Sequence, residues 1–153
     1  MDAYYTAAFD KYCDTVYRLA LSRMKNKYDA EDIVQEVFVR LIRSGKQPSD
    51  EEHLKALLIR ITVNCSKSGL MSAWRKNTTE LDEKIHTPDK SCEVFDAVLH
   101  LPSKYSTVIY LHYYCGYSVE EISGILTCSA GAVKTRLFRA REMLKCDLEG
   151  VEF

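Results

Sequence analysis

Apolar residues recur at three- and four-residue steps along almost the whole chain, which is the repeat of an amphipathic helix. The segment DAEDIVQEVFVRLIR, residues 29–43, shows this repeat most clearly, with one apolar stripe along its length. Alternating strand patterns are scarce, and the 153 residues include only six glycines and three prolines. The sequence therefore predicts an all-α fold.

A polar segment interrupts the helical pattern at residues 77–92, where NTTELDEKIHTPDKSC has no apolar repeat. We interpret this segment as a flexible interdomain linker. It separates a first domain, residues 1–76, from a second domain, residues 93–153, and each is near the lower size limit for a stable core. The predicted fold is thus two small helical domains joined by a flexible linker.

Three helices are predicted in the first domain. The first covers residues 4–25, and its inward-facing side chains are Ala8, Phe9, Tyr12, Val16, Leu19 and Ala20. The second covers residues 29–43, where Asp29 caps the first turn. Its apolar stripe is Ala30, Ile33, Val34, Val37, Phe38, Leu41 and Ile42. Gly45 and Pro48 break the helix, and Ser49 or Asp50 caps the third. The apolar side chains of the third helix are Leu54, Leu57, Leu58, Ile61 and Cys65.

The second domain contains clear sequence signals for the start and end of its helices. Pro102 begins and Gly116 ends one predicted helix. Ser118 and Glu121 then form a capping box at the start of a shorter helix. A tight turn, TCSAG, leads into a last helix at residues 129–142, SAGAVKTRLFRARE. A short capped helix, a turn and a second helix form the outline of a helix-turn-helix.

The last helix has one narrow buried stripe when its residues are placed 100° apart. The stripe consists of Val133, Leu137, Ala140 and Leu144. Phe138 and Arg139 lie opposite this stripe. Residues 131–146 carry five cations and one acid, Glu142. The cations are Lys134, Arg136, Arg139, Arg141 and Lys145. We interpret the helix as a DNA-recognition helix, because cations that flank its core face can reach phosphates on both walls of the major groove.

On this interpretation Arg139 suits a guanine edge, Thr135 is a short hydrogen-bonding contact and Phe138 can touch a thymine methyl group. The alternative is a solvated basic helix in which Phe138 packs beneath a neighbouring element. The two differ in one observable, because only the recognition helix leaves Phe138 open to solvent.

Residues 29–36 are acidic, with four acids and no base. Asp32, Gln35, Glu36 and Val39 lie off the buried stripe. One interpretation is a docking face for a basic protein surface. The other is that the acids complement the helix dipole and that Glu36 pairs with Arg40 across one turn.

Other classes of protein find little support. No apolar run is long enough to span a membrane, and the first residues lack the pattern of a signal peptide. The six cysteines show no Cys-x-x-Cys spacing, so we expect reduced thiols, a cytoplasmic protein and no cofactor. His112 and Cys115 form one isolated pair, for which packing is favoured over metal binding. No catalytic cluster or Gly-rich phosphate loop stands out, so we do not expect an enzyme.

Two segments carry a resemblance to a known family. DAEDIVQEVFVRLI resembles the core-polymerase-binding helix of bacterial sigma factors, and LPSKYSTVIYLHYYCGYSVEEISGILTCSAGAVKTRLFRARE resembles their C-terminal promoter-binding domain. Their order, the linker and the short length are similar to the extracytoplasmic-function group. The resemblance implies a sigma factor that binds core RNA polymerase and directs promoter-specific transcription initiation. It also implies an anti-sigma factor as a partner, and no insertion into the membrane.

The resemblance assigns roles to residues. For binding to core polymerase they are Asp32, Gln35 and Glu36. For the minus-ten promoter element, Asn64 would hold a flipped-out base and Lys67 would touch the backbone; Trp74 and Arg75 suit single-stranded DNA or packing. Five residues match the positions where the family contacts the minus-thirty-five element: Lys134, Thr135, Arg136, Phe138 and Arg139. We add Arg141 to this set because it is one of the cations that flank the buried stripe of the same helix.

Three points stay open. Ala56-Leu57 replaces the family's usual Trp-Leu, so the minus-ten sequence cannot be inferred from relatives. A stand-alone helix-turn-helix regulator is the alternative function, with a sensing or dimerising first half. The other open point is a redox switch at Cys65, Cys92 or Cys128. The competing interpretation is that these cysteines are small buried thiols that serve only for packing.

Overall fold

The computed structural model describes residues 3–67 and 92–147. The chain forms two compact units, with residues 3–67 in the first and residues 92–147 in the second. Every regular element among these residues is helical, which confirms the predicted all-α fold. The predicted linker, residues 77–92, lies outside the described residues except for its last position.

Three helices pack together in the first domain: α1 (Ala3–Met24), α2 (Lys27–Ser44) and α3 (Glu51–Lys67). The connections between them are short, so α1 and α3 run in one direction and α2 runs in the other. The helices close around one apolar core. Its largest fully buried side chains are Val16, Leu19, Leu21, Ile33, Val37, Leu41, Leu58 and Ile59.

The helix α2 begins two residues earlier than predicted, because Asn26 rather than Asp29 caps it. The Asn26 backbone is extended, and its side-chain oxygen accepts hydrogen bonds from two backbone N–H groups at 2.9 and 3.0 Å. The side chain of Asp29 lies buried inside the first turn, so the prediction that it caps the helix was wrong. Gly45 ends α2 with φ of 70°, and Asp50 caps α3 as predicted, accepting from the Glu52 N–H at 3.2 Å.

Two side chains predicted to face inward are instead exposed. Phe9 is 43% exposed, and its ring packs edge-to-face on Phe38 with the centroids 5.0 Å apart. Ile42 is 39% exposed. Both lie at the margins of their apolar stripes, where helical periodicity indicates a direction but not whether another element covers it.

The second domain contains α4 (Cys92–Leu99), α5 (Ser103–Ile109), α6 (Val119–Leu126) and α7 (Ala130–Asp147). The last helix packs against α4, α5 and α6, so it forms the centre of the domain. Its buried stripe is the predicted one, with each side chain at most 2% exposed: Val133, Leu137, Ala140 and Leu144.

After α5 the helix widens into a π-helical segment, Tyr110–Tyr114, in which the Cys115 N–H bonds to the Tyr110 carbonyl at 3.1 Å. The Tyr110 and Tyr114 rings stack with their centroids 5.4 Å apart, and both rings contact Phe95 of α4. The sequence predicted a uniform helix here, because a 3.6-residue repeat does not reveal one wider turn.

The predicted helix-turn-helix is confirmed, and its caps account for the turn. The Ser118 N–H donates to the Glu121 carboxylate at 3.0 Å, and the Glu121 N–H donates to the Ser118 hydroxyl at 3.1 Å. Thr127 ends α6 in the left-handed region with φ of 54°. The Ser129 hydroxyl then accepts from the Ala132 N–H at 3.1 Å and starts α7.

Candidate nucleic-acid and polymerase interfaces

The side of α7 opposite its buried stripe is open to solvent. Phe138 lies at its centre and is 62% exposed, which contradicts the alternative that this ring packs beneath a neighbour. Because the ring is exposed, it contributes little to the stability of the domain and is accessible to a partner. We call the exposed residues on this side the α7 outer face: Lys134, Thr135, Phe138 and Arg139.

Two cations of α7 lie beside tyrosines of the same domain. The Arg139 guanidinium near the Tyr105 phenol lowers the pKa of that phenol. Arg141 donates from Nε to the Tyr113 hydroxyl at 2.6 Å, and its guanidinium carbon lies 5.6 Å from the ring centroid. The Arg141 contact restricts that side chain before any partner arrives, which reduces the entropy lost on binding.

Arg136 has a different environment. It is partly buried, and one of its guanidinium nitrogens lies 4.0 Å from the Cys128 thiol in the helix-turn-helix turn. Within the set predicted to bind the minus-thirty-five element, Arg136 is therefore the least accessible, and it lies on the flank of α7 nearest the turn.

The outer strip of α3 presents Asn64 and Lys67, both exposed on the last two turns of the helix. Arg60 is also exposed and falls on the same strip at 100° per residue. Sequence reasoning missed Arg60, although its spacing of four residues from Asn64 was the signal. Trp74 and Arg75 lie outside the described residues.

The last turn of α3 is tied to the end of α1. Arg23 donates from Nε to the Ser66 hydroxyl, and that hydroxyl donates to the Val63 carbonyl at 2.7 Å. Ser66 is 2% exposed. This bond fixes the backbone that carries Asn64 and Lys67 on either side of it, so α1 positions the outer strip of α3.

Asp32, Gln35 and Glu36 lie off the buried stripe of α2, unlike Asp29, whose side chain is buried. Asp32 and Gln35 are exposed, whereas Glu36 is partly buried and pairs with Arg40 at 2.9 Å. That ion pair confirms the predicted contact across one turn. Asp32 and Gln35 are therefore the more accessible of the three residues predicted to bind core polymerase.

Three large apolar side chains lie on the same side of α2 as Asp32 and Gln35. Tyr28 is 65% exposed, Val39 37% and Ile42 39%, and all three fall within about 60° of one another around the helix. We call this set the α2 outer face: Tyr28, Asp32, Gln35, Val39 and Ile42. Sequence reasoning placed Val39 off the core stripe but missed Tyr28 and assigned Ile42 to the core. The surface is thus apolar as well as acidic.

Two ionisable groups near the start of α2 are desolvated. Burial raises the pKa of Asp29, with the charge of Asp32 as a second cause, and one of its carboxylate oxygens accepts no hydrogen bond within residues 3–67. Burial lowers the pKa of Lys25 to about 7, and this residue has φ of 61°. Burial of the Asp29 carboxyl and burial of the Lys25 amine each disfavour the charged form of the group, and each therefore reduces the stability of the first domain.

The described cysteines are thiols rather than disulfides. Cys65 is fully buried and burial raises its pKa, which disfavours the reactive thiolate and the redox switch proposed beside Asn64. The side chain of Cys92 lies outside the described residues. His112 contacts the Tyr117 carbonyl through Nδ1 at 2.9 Å. Across residues 3–67 and 92–147 no three potential metal ligands cluster.

Comparison with known proteins identifies the family. Residues 8–76 match the model for Sigma-70 region 2, and residues 93–144 match the model for Sigma-70, region 4. The ECF RNA polymerase sigma-E factor of Haemophilus influenzae is 34% identical over 146 residues, covering 82% of this chain and 77% of the relative. The RNA polymerase sigma factor SigV of Bacillus subtilis is 32% identical over 139 residues, covering 86% and 83%. The chain belongs to the extracytoplasmic-function (ECF) group of bacterial RNA polymerase sigma factors.

A solved structure shares the fold. The sigma factor RpoE from Bartonella quintana, in complex with the anti-sigma factor NepR, aligns with a TM-score of 0.71 at 20% identity over 96% of this chain and 98% of that one. Sigma factors bind core RNA polymerase and direct initiation at promoters, and the matches do not favour a stand-alone regulator. Within the described parts of the chain, no helix combines the length and apolarity needed to cross a membrane.

Proposed function

We propose that three separate surfaces of the two domains carry promoter recognition and polymerase binding. The minus-thirty-five element is bound by Lys134, Thr135, Arg136, Phe138, Arg139 and Arg141. The minus-ten element is bound by Asn64, Lys67, Trp74 and Arg75, to which Arg60 is added. Core polymerase is bound by Asp32, Gln35 and Glu36. These surfaces belong to a first domain at residues 1–76 and a second domain at residues 93–153, joined by residues 77–92.

The exposure of Phe138 is the observation that carries the DNA-binding proposal. A ring that is 62% exposed between Thr135 and Arg139 serves no packing purpose in its own domain. In a major groove it meets thymine methyl groups, while Arg139 reaches a guanine edge and Lys134 a phosphate. The exposure of Arg139 supports this role, because its guanidinium is accessible to a base edge.

The α2 outer face supports docking on a protein rather than on DNA. Its Asp32 carboxylate would repel phosphates, and its apolar side chains suit a packed protein interface. The partner surface that fits it is basic with apolar side chains of its own. Because the chain belongs to the sigma-factor family, we assign core polymerase as this partner.

Further aspects follow from the same function. The protein acts as a transcription initiation factor without a catalytic centre of its own, in the cytoplasm where polymerase transcribes the chromosome. An anti-sigma factor regulates it, as the NepR complex of the Bartonella quintana sigma factor suggests by analogy. The interdomain linker lets one chain hold two promoter elements, with polymerase setting their separation.

The test is in vitro transcription with purified core polymerase, followed by mapping of start sites. We expect specific transcripts only when both proteins are present, with shared sequence elements upstream of the start sites. A gel shift with the sigma factor alone should show weak binding to promoter duplex, because the acidic α2 outer face opposes DNA. Tight, sequence-specific binding by the lone protein would instead support the stand-alone regulator.

A further inference from the structure

Tyr113 presents an aromatic ring to solvent at a position where the backbone is unusual. Its side chain is 55% exposed, and it belongs to the π-helical segment Tyr110–Tyr114. Wider turns of this kind are frequent at functional sites. The rings of Tyr110 and Tyr114 contact Phe95 of α4, whereas the Tyr113 hydroxyl contacts the last helix, α7. The exposed ring thus brings a hydroxyl group to the side of α7.

The hydrogen bond between Tyr113 and α7 leaves donors unused on both partners. The Arg141 Nε–H donates to the Tyr113 hydroxyl oxygen at 2.6 Å. A phenol that accepts a hydrogen bond can still donate its own proton, and a guanidinium carries four more N–H groups on its two Nη atoms. Among residues 3–67 and 92–147, no carboxylate forms an ion pair with Arg141. The hydroxyl and the guanidinium are therefore close enough to donate to one shared acceptor.

Arg141 lies along one edge of the α7 outer face. At 100° and 1.5 Å per residue, it falls within about 20° of Lys134 around the helix and about 10 Å further along the axis. Phe138 lies between these two cations along the chain and within about 60° of each. Lys134 and Arg141 are both exposed. A duplex whose major groove receives Phe138 would therefore bring the backbone of one strand alongside both cations.

The Tyr113 ring is held in place within its own domain. The His112 ring meets it edge-to-face, with the ring centroids 4.8 Å apart. His112 is itself fixed, because its Nδ1 lies 2.9 Å from the Tyr117 carbonyl oxygen. The second contact is with Arg141, whose guanidinium carbon lies 5.6 Å from the centroid of the Tyr113 ring. A site whose donors are already ordered loses less conformational entropy when it binds a ligand.

We propose that Tyr113 and Arg141 together bind one backbone phosphate at the edge of the minus-thirty-five element. In this pair the Tyr113 hydroxyl donates to the phosphate and also orients the Arg141 guanidinium, which donates to the same anion through its Nη atoms. This proposal rests on the proposed function of α7. The pair supplies affinity and register without reading sequence, because phosphate contacts carry no base information.

The variant Tyr113→Phe tests the proposal in assembled holoenzyme, since it keeps the ring and removes only the hydroxyl. Binding to promoter duplex is measured over a range of salt concentrations. We expect affinity to fall about tenfold, as for one hydrogen bond to a charged group, and by the same factor for every minus-thirty-five sequence. The slope of log affinity against log salt should not change, because the hydroxyl is neutral. Arg141→Gln should instead reduce that slope by about 0.9.

The double variant Tyr113→Phe, Arg141→Gln tests whether the two groups act as one site. When Arg141 is already replaced, removal of the hydroxyl should lower affinity by less than about twofold, because the phosphate is no longer held beside it. A tenfold loss that is the same with and without Arg141 would contradict a shared phosphate.

The matched control is Tyr114→Phe, which removes the same group from the adjacent ring that packs on Tyr110 and Phe95. Its affinity for promoter duplex should equal that of the unaltered protein. The proposal is overturned by unchanged affinity of Tyr113→Phe, by an equal loss in Tyr114→Phe, or by a loss confined to core-polymerase affinity. Urea denaturation establishes that the variants are folded. Failure of the proposed function is distinguishable, since the unaltered holoenzyme would then start no promoter-specific transcript.

Discussion

The outer faces of α7 and α2 share one design and differ in charge. Each places an exposed aromatic ring on the solvent side of an 18-residue helix, Phe138 at 62% and Tyr28 at 65% exposure. Cations surround the first ring, whereas the second shares its face with the Asp32 carboxylate. The contrast teaches that apolar rings can supply contact area for either partner while charge selects between DNA and protein. The net charge of −1 conceals this division, because it sums 21 cations and 22 acids over the whole chain.

The largest expected effect separates two neighbouring residues of α7. Leu137→Ala removes a side chain that is 2% exposed from the core of a small domain, and we expect the free energy of unfolding to fall by about 3 kcal/mol. Phe138→Ala removes an exposed ring, and we expect a change below about 0.5 kcal/mol. Urea denaturation of the second domain within the full chain measures both. Equal destabilisation by the two variants would contradict an outward-facing Phe138.

The next effect concerns specificity on the α7 outer face. Arg139→Ala should weaken discrimination at one base pair of the minus-thirty-five element by about 2 kcal/mol, or roughly thirty-fold, because one base contact is lost. Transcription from promoters altered one position at a time measures this loss. Lys145→Ala is the control, since Lys145 is exposed and pairs with Glu142. A uniform loss across all promoters would mean that Arg139 contacts only phosphate.

A smaller effect is expected on the α2 outer face. Asp32→Lys places a cation against a basic partner surface, and we expect the affinity for core polymerase to fall about tenfold. Asp10→Lys is the charge-matched control on the exposed side of α1. Competition against labelled sigma factor for purified core polymerase gives both affinities. If Asp10→Lys weakened binding as much as Asp32→Lys, net charge rather than the α2 outer face would control docking.

The smallest effect is on stability alone. Lys25→Gly should raise the free energy of unfolding by about 1 kcal/mol near neutral pH, because glycine tolerates φ of 61° and carries no desolvated amine. The folded pKa of Lys25 is about 7, below its ordinary value of 10.5, so burial of the charged amine costs most below pH 7. That cost fades as the pH rises towards 10.5, and the advantage of the glycine variant should shrink accordingly. If the gain in free energy of unfolding were constant from pH 6 to pH 10, the desolvated amine would contribute nothing to it, and the gain would come from the backbone conformation alone.

The sequence predicted the helices, the capping box and the buried stripe of α7, because periodicity and caps are local signals. It did not predict the exposure of Phe9 and Ile42, which depends on whether another element covers the margin of a stripe. It also missed the wider turn at Tyr110–Tyr114, where two tyrosine rings contact Phe95 of α4. The same limit applies to the α2 outer face, since the role of Tyr28 became visible only when its exposure was known.

The distribution of thiols has a practical consequence. Cys65 and Cys115 are buried, Cys13 and Cys128 are partly buried, and Cys146 is exposed near the end of α7. Cys146 lies eight residues beyond Phe138, or about 12 Å along the helix axis. With Cys92 replaced, a maleimide fluorophore should attach preferentially at Cys146. Its emission would then report the arrival of promoter DNA on the second domain in real time, without altering any side chain proposed to touch a base.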